Sequence, residues 1–164
     1  MITIGIDIGL TGAVASVNHL GGAAVLDLVT VPSGKSRRLD GRDLIHTLRA
    51  MAPSSESALV LIEDVQPRPM GNGGRAGNTM HSQASLMRSR GIVEAVCDVG
   101  GFQLRSVQPQ PWKRFYGLIG EDKDASIDCA RRLFPACAID LKRKKDQNRA
   151  EALLIANYAQ RNMT

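Results

Sequence analysis

The sequence predicts an α/β fold with a mixed five-stranded sheet, three strands antiparallel and two parallel, and helices on both faces. Three observations carry this expectation. The β-branched run 2–8 (ITIGIDI) ends in an acid, and Gly9, Gly12, Gly21 and Gly22 punctuate two further apolar stretches, 13–17 and 23–31, the pattern of an antiparallel meander. Residues 58–62 (ALVLI) form a short unbroken apolar run, as expected for a strand buried on both faces and parallel to the first. From residue 40 to residue 107 helical and strand patterns alternate, and a βαβαβ order implies a central sheet covered by helices.

The elements follow in order. Leu44, Ile45, Leu48 and Met51 recur at helical spacing behind Asp40, a capping residue, and Pro53 closes a helix predicted over 40–51. The strand at 58–62 again ends in acids, Glu63 and Asp64. Residues 66–79 (QPRPMGNGGRAGNT) hold prolines and glycines without apolar periodicity and read as an exposed loop of the kind that often carries function. Ala84, Leu86, Met87, Ile92, Val93, Val96 and Cys97 predict a long helix over about 82–98, followed by a strand at 102–107. A short helix begins at Pro109 with Trp112 as its buried anchor, and further helices are expected at 124–134 and 147–161. No internal repeat and no interdomain linker is evident, so residues 1–164 are read as one domain.

Composition narrows the function classes. A chain of 164 residues has room for one domain with a full core. With 43% hydrophobic and 23% charged residues it fits neither a disordered nor a membrane protein, and no run approaches the ~20 apolar residues of a membrane span. The opening residues lack the basic start and cleavage site of a signal peptide, and three cysteines, Cys97, Cys129 and Cys137, suit core positions in a reducing compartment. Both point to the cytoplasm. The formal charge of +5 favours a polyanionic partner, whereas 4% aromatic residues argue against a base-stacking platform, leaving phosphate contact as the expected mode.

Candidate chemistry sits at strand ends. Asp7 ends the first strand, Glu63 ends the central one, Glu151 lies near the start of the last helix, and Asp146 stands just upstream. One acid at a strand end is often simply solvated, but Asp7 and Glu63 each interrupt an apolar strand. Such carboxylates, brought together, would repel one another unless a divalent cation neutralised them. Magnesium suits the role, being a hard ion that binds a few carboxylates and keeps waters for a phosphate substrate.

The segment IGIDIGLTGAVA resembles the first acidic motif of the RuvC family of Holliday junction resolvases, within the ribonuclease H-like superfamily. The actin-like ATPases and sugar kinases share a similar turn, but they are normally two-domain and far longer. LVLIEDV resembles the family's second acidic motif, SLMRSRGIVEAV its long helix, and VQPQPWKRFYGL, DKDASIDCARRLFP and KKDQNRAEALLIANYA the compact phage-type branch. The resemblance implies the ribonuclease H-like fold, with Asp7, Glu63 and Glu151 as catalytic metal ligands; Asp146 is favoured as the fourth catalytic carboxylate, because fewer charges would hold a second metal less well. Asn148 is the alternative fourth ligand, because the family usually places two metal-binding side chains three residues apart on this helix. It further implies two Mg2+ ions per site, with Mn2+ as a substitute, and hydrolysis of four-way or branched DNA to 5′-phosphate and 3′-hydroxyl ends. A homodimer formed through the helix at 82–98 and no nucleotide cofactor are also implied. No aromatic residue occurs between Glu63 and Phe102, where the family often has one to probe bases, so a looser specificity for forks and flaps is a second reading. A catalytically weak branched-DNA-binding module is a third.

Basic residues fall into three groups: Lys35, Arg37 and Arg38 in a loop; Lys113 and Arg114; and Lys142, Arg143, Lys144 and Lys145 before the last acidic motif. A carboxylate cluster repels DNA, so phosphate binding needs adjacent positive charge. Lys113, Lys142, Arg143, Lys144 and Lys145 are the expected backbone contacts, with Arg68 and Arg75 in the loop and Arg88 and Arg90 as secondary candidates. His19, His46 and His81 show no paired metal-ligand spacing.

Overall fold

The computed structural model describes residues 1–67 and 79–164. Five strands form the central sheet: β1 (Ile2–Asp7), β2 (Ala13–Asn18), β3 (Ala23–Asp27), β6 (Ala58–Glu63) and β7 (Gln103–Val107). They lie in the order β3-β2-β1-β6-β7. β1 runs antiparallel to β2 and parallel to β6, and β6 runs parallel to β7, so the mixed sheet matches the expectation.

Period-two alternation divides the core. Ile4 and Ile6 of β1 and Val60 and Ile62 of β6 bury one face beneath α1 (Gly41–Met51) and α2 (Met80–Gly100). Leu59 and Leu61 of β6 and Ala13, Ala15 and Val17 of β2 bury the other against α3 (Pro109–Phe115), α4 (Lys123–Leu133) and α5 (Gln147–Asn162). Trp112 is fully buried in the second cluster, as its anchor role requires. Helices therefore cover both faces. The Asp40 carboxylate accepts from the Arg42 and Asp43 amides as the cap expected there, and Asp122, not singled out in the sequence, does the same for Asp124 and Ala125.

Two regions depart from the expected elements. The predicted strand 23–31 ends at Asp27, and a second, two-stranded sheet follows, β4 (Thr30–Ser33) with β5 (Ser36–Leu39). Gly34 turns this hairpin with φ of 61°, a left-handed value that favours glycine. Lys35, Arg37 and Arg38 thus belong to a hairpin rather than an open loop. Its only fully buried residue is Leu39, so no alternation marked it in the sequence. The second departure is a pair of 3-10 helices, Pro135–Leu141 and Lys144–Asp146, between α4 and α5. They keep Cys137 and Leu141 in the core although the segment lacks helical periodicity. All three cysteines are free and buried, and burial pushes the Cys97 thiol up to about 12, leaving it unreactive. Among the described residues no helix is long and apolar enough to cross a membrane.

Candidate active site at the carboxyl ends of β1 and β6

Strand geometry aligns the first two acids. Ile6 of β1 pairs with Ile62 of β6 in parallel register, so Asp7 and Glu63 stand one step beyond, on neighbouring strands about 4.8 Å apart. Because Ile6 and Ile62 point to the α1–α2 face, alternation turns Asp7 and Glu63 to the opposite face, where α5 lies. That face of β1 is shaped for a helix. Thr3 is buried with its hydroxyl 2.9 Å from the Ala156 carbonyl oxygen, and a Cβ on Gly5 would come within 2.3 Å of the Ala152 carbonyl oxygen. Backbone contact at Gly5 brings the first turns of α5, and with them Glu151, to the end of β1.

The charges of Glu151 and Glu63 both reach Asp7. The Asp7 carboxyl is pushed up to about 8, by burial first, then by the negative charges of Glu151 and Glu63, and Lys113 on α3 partly opposes the rise. The β1–β2 turn beneath Asp7 is tight. A Cβ on Gly12 would lie 2.1 Å from the Asp7 carbonyl oxygen, and Asn148 closes the turn from above, its Nδ2 donating to the Thr11 carbonyl oxygen at 2.5 Å. Glu151 accepts from Gln147 Nε2 at 2.9 Å along its own helix. Among the described residues no three His, Cys, Asp or Glu side chains already converge on one chelating point. Three carboxylates meet at one sheet end, with Asn148 one helical turn before Glu151, and these are oxygen donors of the kind a hard cation takes.

Asp146 does not join this set. Its carboxylate is buried and faces Arg143, whose Nη2 and Nε donate to Oδ1 at 2.7 and 3.0 Å and whose backbone amide donates to Oδ2 at 2.7 Å. These bonds hold Asp146 below the usual carboxylate range. It is the residue before α5, and the charges of Arg143 and Arg149 add to this lowering.

The expected basic contacts also separate. Lys113 lies 5.2 Å from the Trp112 ring centroid, and its charge reaches Asp7 and lowers that carboxyl. Arg143 is committed to Asp146, and Lys144, largely exposed, pairs with Asp124 at 3.3 Å. Lys142 and Lys145 are exposed on the same segment. Arg90 is held between Asp64 and Glu94 at 2.8 Å each, which removes it as a free phosphate contact. Arg68 and Arg75 lie outside the described residues.

Two supports were not read from the sequence. Asp64, next to Glu63, accepts from Arg90 of α2 and from Gln108 Nε2 at 2.6 Å, so one carboxylate ties the end of β6 to α2 and to the start of α3. Arg149 grips Asp27 with Nε and Nη2 at 2.6 and 2.7 Å, tying α5 to the end of β3. Only the adjacency of Asp64 to Glu63 hinted at either, because the partners lie on separate elements.

Comparison with known proteins agrees with this architecture. No family model matches the chain. Over 60 residues, 36% of this chain, it is 47% identical to the Holliday junction resolvase MOC1, chloroplastic, of Chlamydomonas reinhardtii, and the match spans 7% of that protein's length. Among solved structures it is similar to T. thermophilus RuvC in complex with Holliday junction substrate, with a TM-score of 0.57 and 16% identity, covering 99% of this chain and 96% of that one. A second Thermus thermophilus RuvC structure matches at a TM-score of 0.51 and 17% identity, over 98% and 96% of the two chains. The resemblance carried by the acidic motifs thus extends to the whole topology, and the chain has the ribonuclease H-like fold of the RuvC structures.

Proposed function

We propose that this chain is a divalent-metal-dependent endonuclease that cuts four-way DNA junctions. The observation that carries the reading is the gathering of Asp7, Glu63 and Glu151 beside Lys113 at one end of the sheet. The similarity to a Holliday junction resolvase and the RuvC-type fold support the same substrate.

In this reading Asp7, Glu63 and Glu151 hold the metal, and Asn148 supplies the fourth oxygen position. Asp146 acts instead as a structural acid, because its oxygens are already satisfied by Arg143. Held by these residues, a pair of Mg2+ ions, or Mn2+ in their place, would supply Lewis acidity for hydrolysis of the phosphodiester by water, with 5′-phosphate and 3′-hydroxyl ends as the expected products. The chain's own residues position the reaction. Asp7 and Glu63, on adjacent rigid strands, fix the donor spacing; the Gly5 contact sets Glu151 against them; and Lys113 brings positive charge to an otherwise repulsive site. Two copies acting as a homodimer suit the symmetry of a four-way junction. The free, buried cysteines suit a reducing, cytoplasmic setting, including that of a phage-infected cell.

The test is incubation of a labelled synthetic four-way junction with the protein in Mg2+ or in EDTA, beside an Asp7→Asn variant. Paired nicks that require Mg2+ and vanish in the variant are expected. Tight binding with no nicks in either Mg2+ or Mn2+ would leave a junction-binding module instead.

A further inference from the structure

The β4–β5 hairpin carries charge that neither the fold nor the carboxylate site uses. Leu39 anchors the hairpin in the core, and the pairs from Thr30↔Leu39 to Ser33↔Ser36 hold it together. Lys35 is exposed at its tip, directly after left-handed Gly34. Arg37 is exposed on β5, where its Nε donates to Thr30 Oγ1 at 2.8 Å and its Nη2 to the Thr30 carbonyl oxygen at 2.7 Å. From α2, Arg88 Nη2 donates to Ser33 Oγ at 2.9 Å. These partners are neutral oxygens, so they orient the guanidinium groups without cancelling their charge, and each Arg keeps donors to spare. The nearest acid in sequence, Asp40, is turned to cap α1.

The hairpin also stands at the carboxylate end of the sheet. Asp7 pairs across to Ala13, and Ala13 pairs across to Asp27, so the end of β3 is level with Asp7. Thr30, which holds Arg37, comes three residues later, placing that guanidinium within roughly 25 Å of Asp7 by strand spacing and chain reach. Along a duplex this is at most about seven base pairs. The charge of Lys113 reaches Asp7, so positive charge is present near the carboxylates and again up to about seven base pairs of duplex away.

We propose that the β4–β5 hairpin, with Lys35, Arg37 and Arg88, is a second phosphate-binding surface that grips one duplex arm of branched DNA several base pairs from the scissile phosphate. The proposal rests on the nuclease reading above. Arginine forks fixed on neutral oxygens suit bidentate phosphate contact, and a distance of several base pairs makes the contact depend on arm length.

The test measures binding of labelled four-way junctions with arms of about 4 or about 15 base pairs, in EDTA and across a salt series, for wild type and a Lys35→Gln/Arg37→Gln double variant. Loss of two phosphate contacts should weaken long-arm binding about tenfold and make the slope of log K against log salt less steep by about 2. Short-arm binding, and cleavage of bound junction in Mg2+, should stay within about twofold of wild type. Arg37→Lys should recover most of the salt slope, since it keeps the charge. Because Arg37 also braces Thr30, a Lys35→Gln/Arg88→Gln variant, checked by thermal melting, provides a second test that leaves that brace intact. Unchanged long-arm affinity in folded variants, or an equal loss on both arm lengths, would overturn the hairpin contact while leaving the nuclease reading in place. A wild-type protein that binds neither junction would overturn both.

Discussion

Gly5 of β1 and Ala152 of α5 meet backbone to backbone: a Cβ at Gly5 would lie 2.3 Å from the Ala152 carbonyl oxygen and 2.4 Å from the Ala156 nitrogen. Gly5 is two residues before Asp7 and Ala152 is next to Glu151, so this contact sets the distance between two of the proposed metal ligands. The obstructing atoms are helix backbone and cannot rotate away. Gly5→Ala should therefore cost roughly 3 kcal/mol of stability, read from urea unfolding, by forcing α5 off the sheet. Junction cleavage at a temperature where the variant is still folded should fall by more than about tenfold, because Glu151 moves with the helix.

Replacing any of Asp7, Glu63 or Glu151 by its amide should lower Mg2+-dependent cleavage by more than about 100-fold, since even outer-shell partners of a metal are worth 10–100-fold. Asp7→Asn should have an opposite effect on the metal-free fold. Burial and the charges of Glu151 and Glu63 disfavour the Asp7 carboxylate, so the amide should raise the melting temperature in EDTA at pH 9, where the carboxyl, pushed up to about 8, is ionised. A lower melting temperature in that buffer would contradict the shared environment of the three acids.

Asp146 separates a ligand from a structural acid. Asp146→Ala leaves the Arg143 guanidinium without its partner and removes charge-assisted bonds, which should cost about 2 kcal/mol in unfolding experiments. Cleavage by the folded variant at saturating Mg2+ should stay within about threefold of wild type. A loss matching that of Asp7→Asn would instead return Asp146 to the ligand set.

Acid stability should report the Asp27–Arg149 clasp. The hydrogen bond from Arg149 lowers the Asp27 carboxyl below its ordinary value of 3.8. A lowered folded-state value stabilises the protein above the unfolded value and loses that contribution as pH falls through the folded one. Wild type should therefore exceed Asp27→Asn at pH 6 by roughly 0.5 kcal/mol, an exposed-pair magnitude, and the two unfolding curves should converge below about pH 3. A difference that persists at pH 2 would assign the effect to something other than ionisation.

Most of the sheet was legible because strand signals are local. The run ITIGID and the run ALVLIE each declare a buried strand and its terminal acid without reference to the rest of the chain. The Asp40 cap was readable for the same reason, since cap and amides lie within three residues. The β4–β5 hairpin was not. Its strands TVPS and SRRL bury only Leu39 fully, so the core-facing alternation that marks a strand is nearly missing.

By itself, then, the sequence determined which acids end which strands, the β1–β2–β3 meander and the parallel β6, because alternation and capping act over a few residues. The tertiary structure alone decided which acids and bases meet. Asp146 and Glu151 are five residues apart and both acidic, yet one faces Arg143 and the other shares the environment of Asp7. Lys113 and Arg90 are both cations near the site end in sequence order, yet Arg90 is taken by Asp64 and Glu94 while Lys113 adjoins Asp7. Charge pairing depends on distances between segments up to 140 residues or so apart in the chain, and those distances exist only once α5 has settled on Gly5 and buried its face against β1.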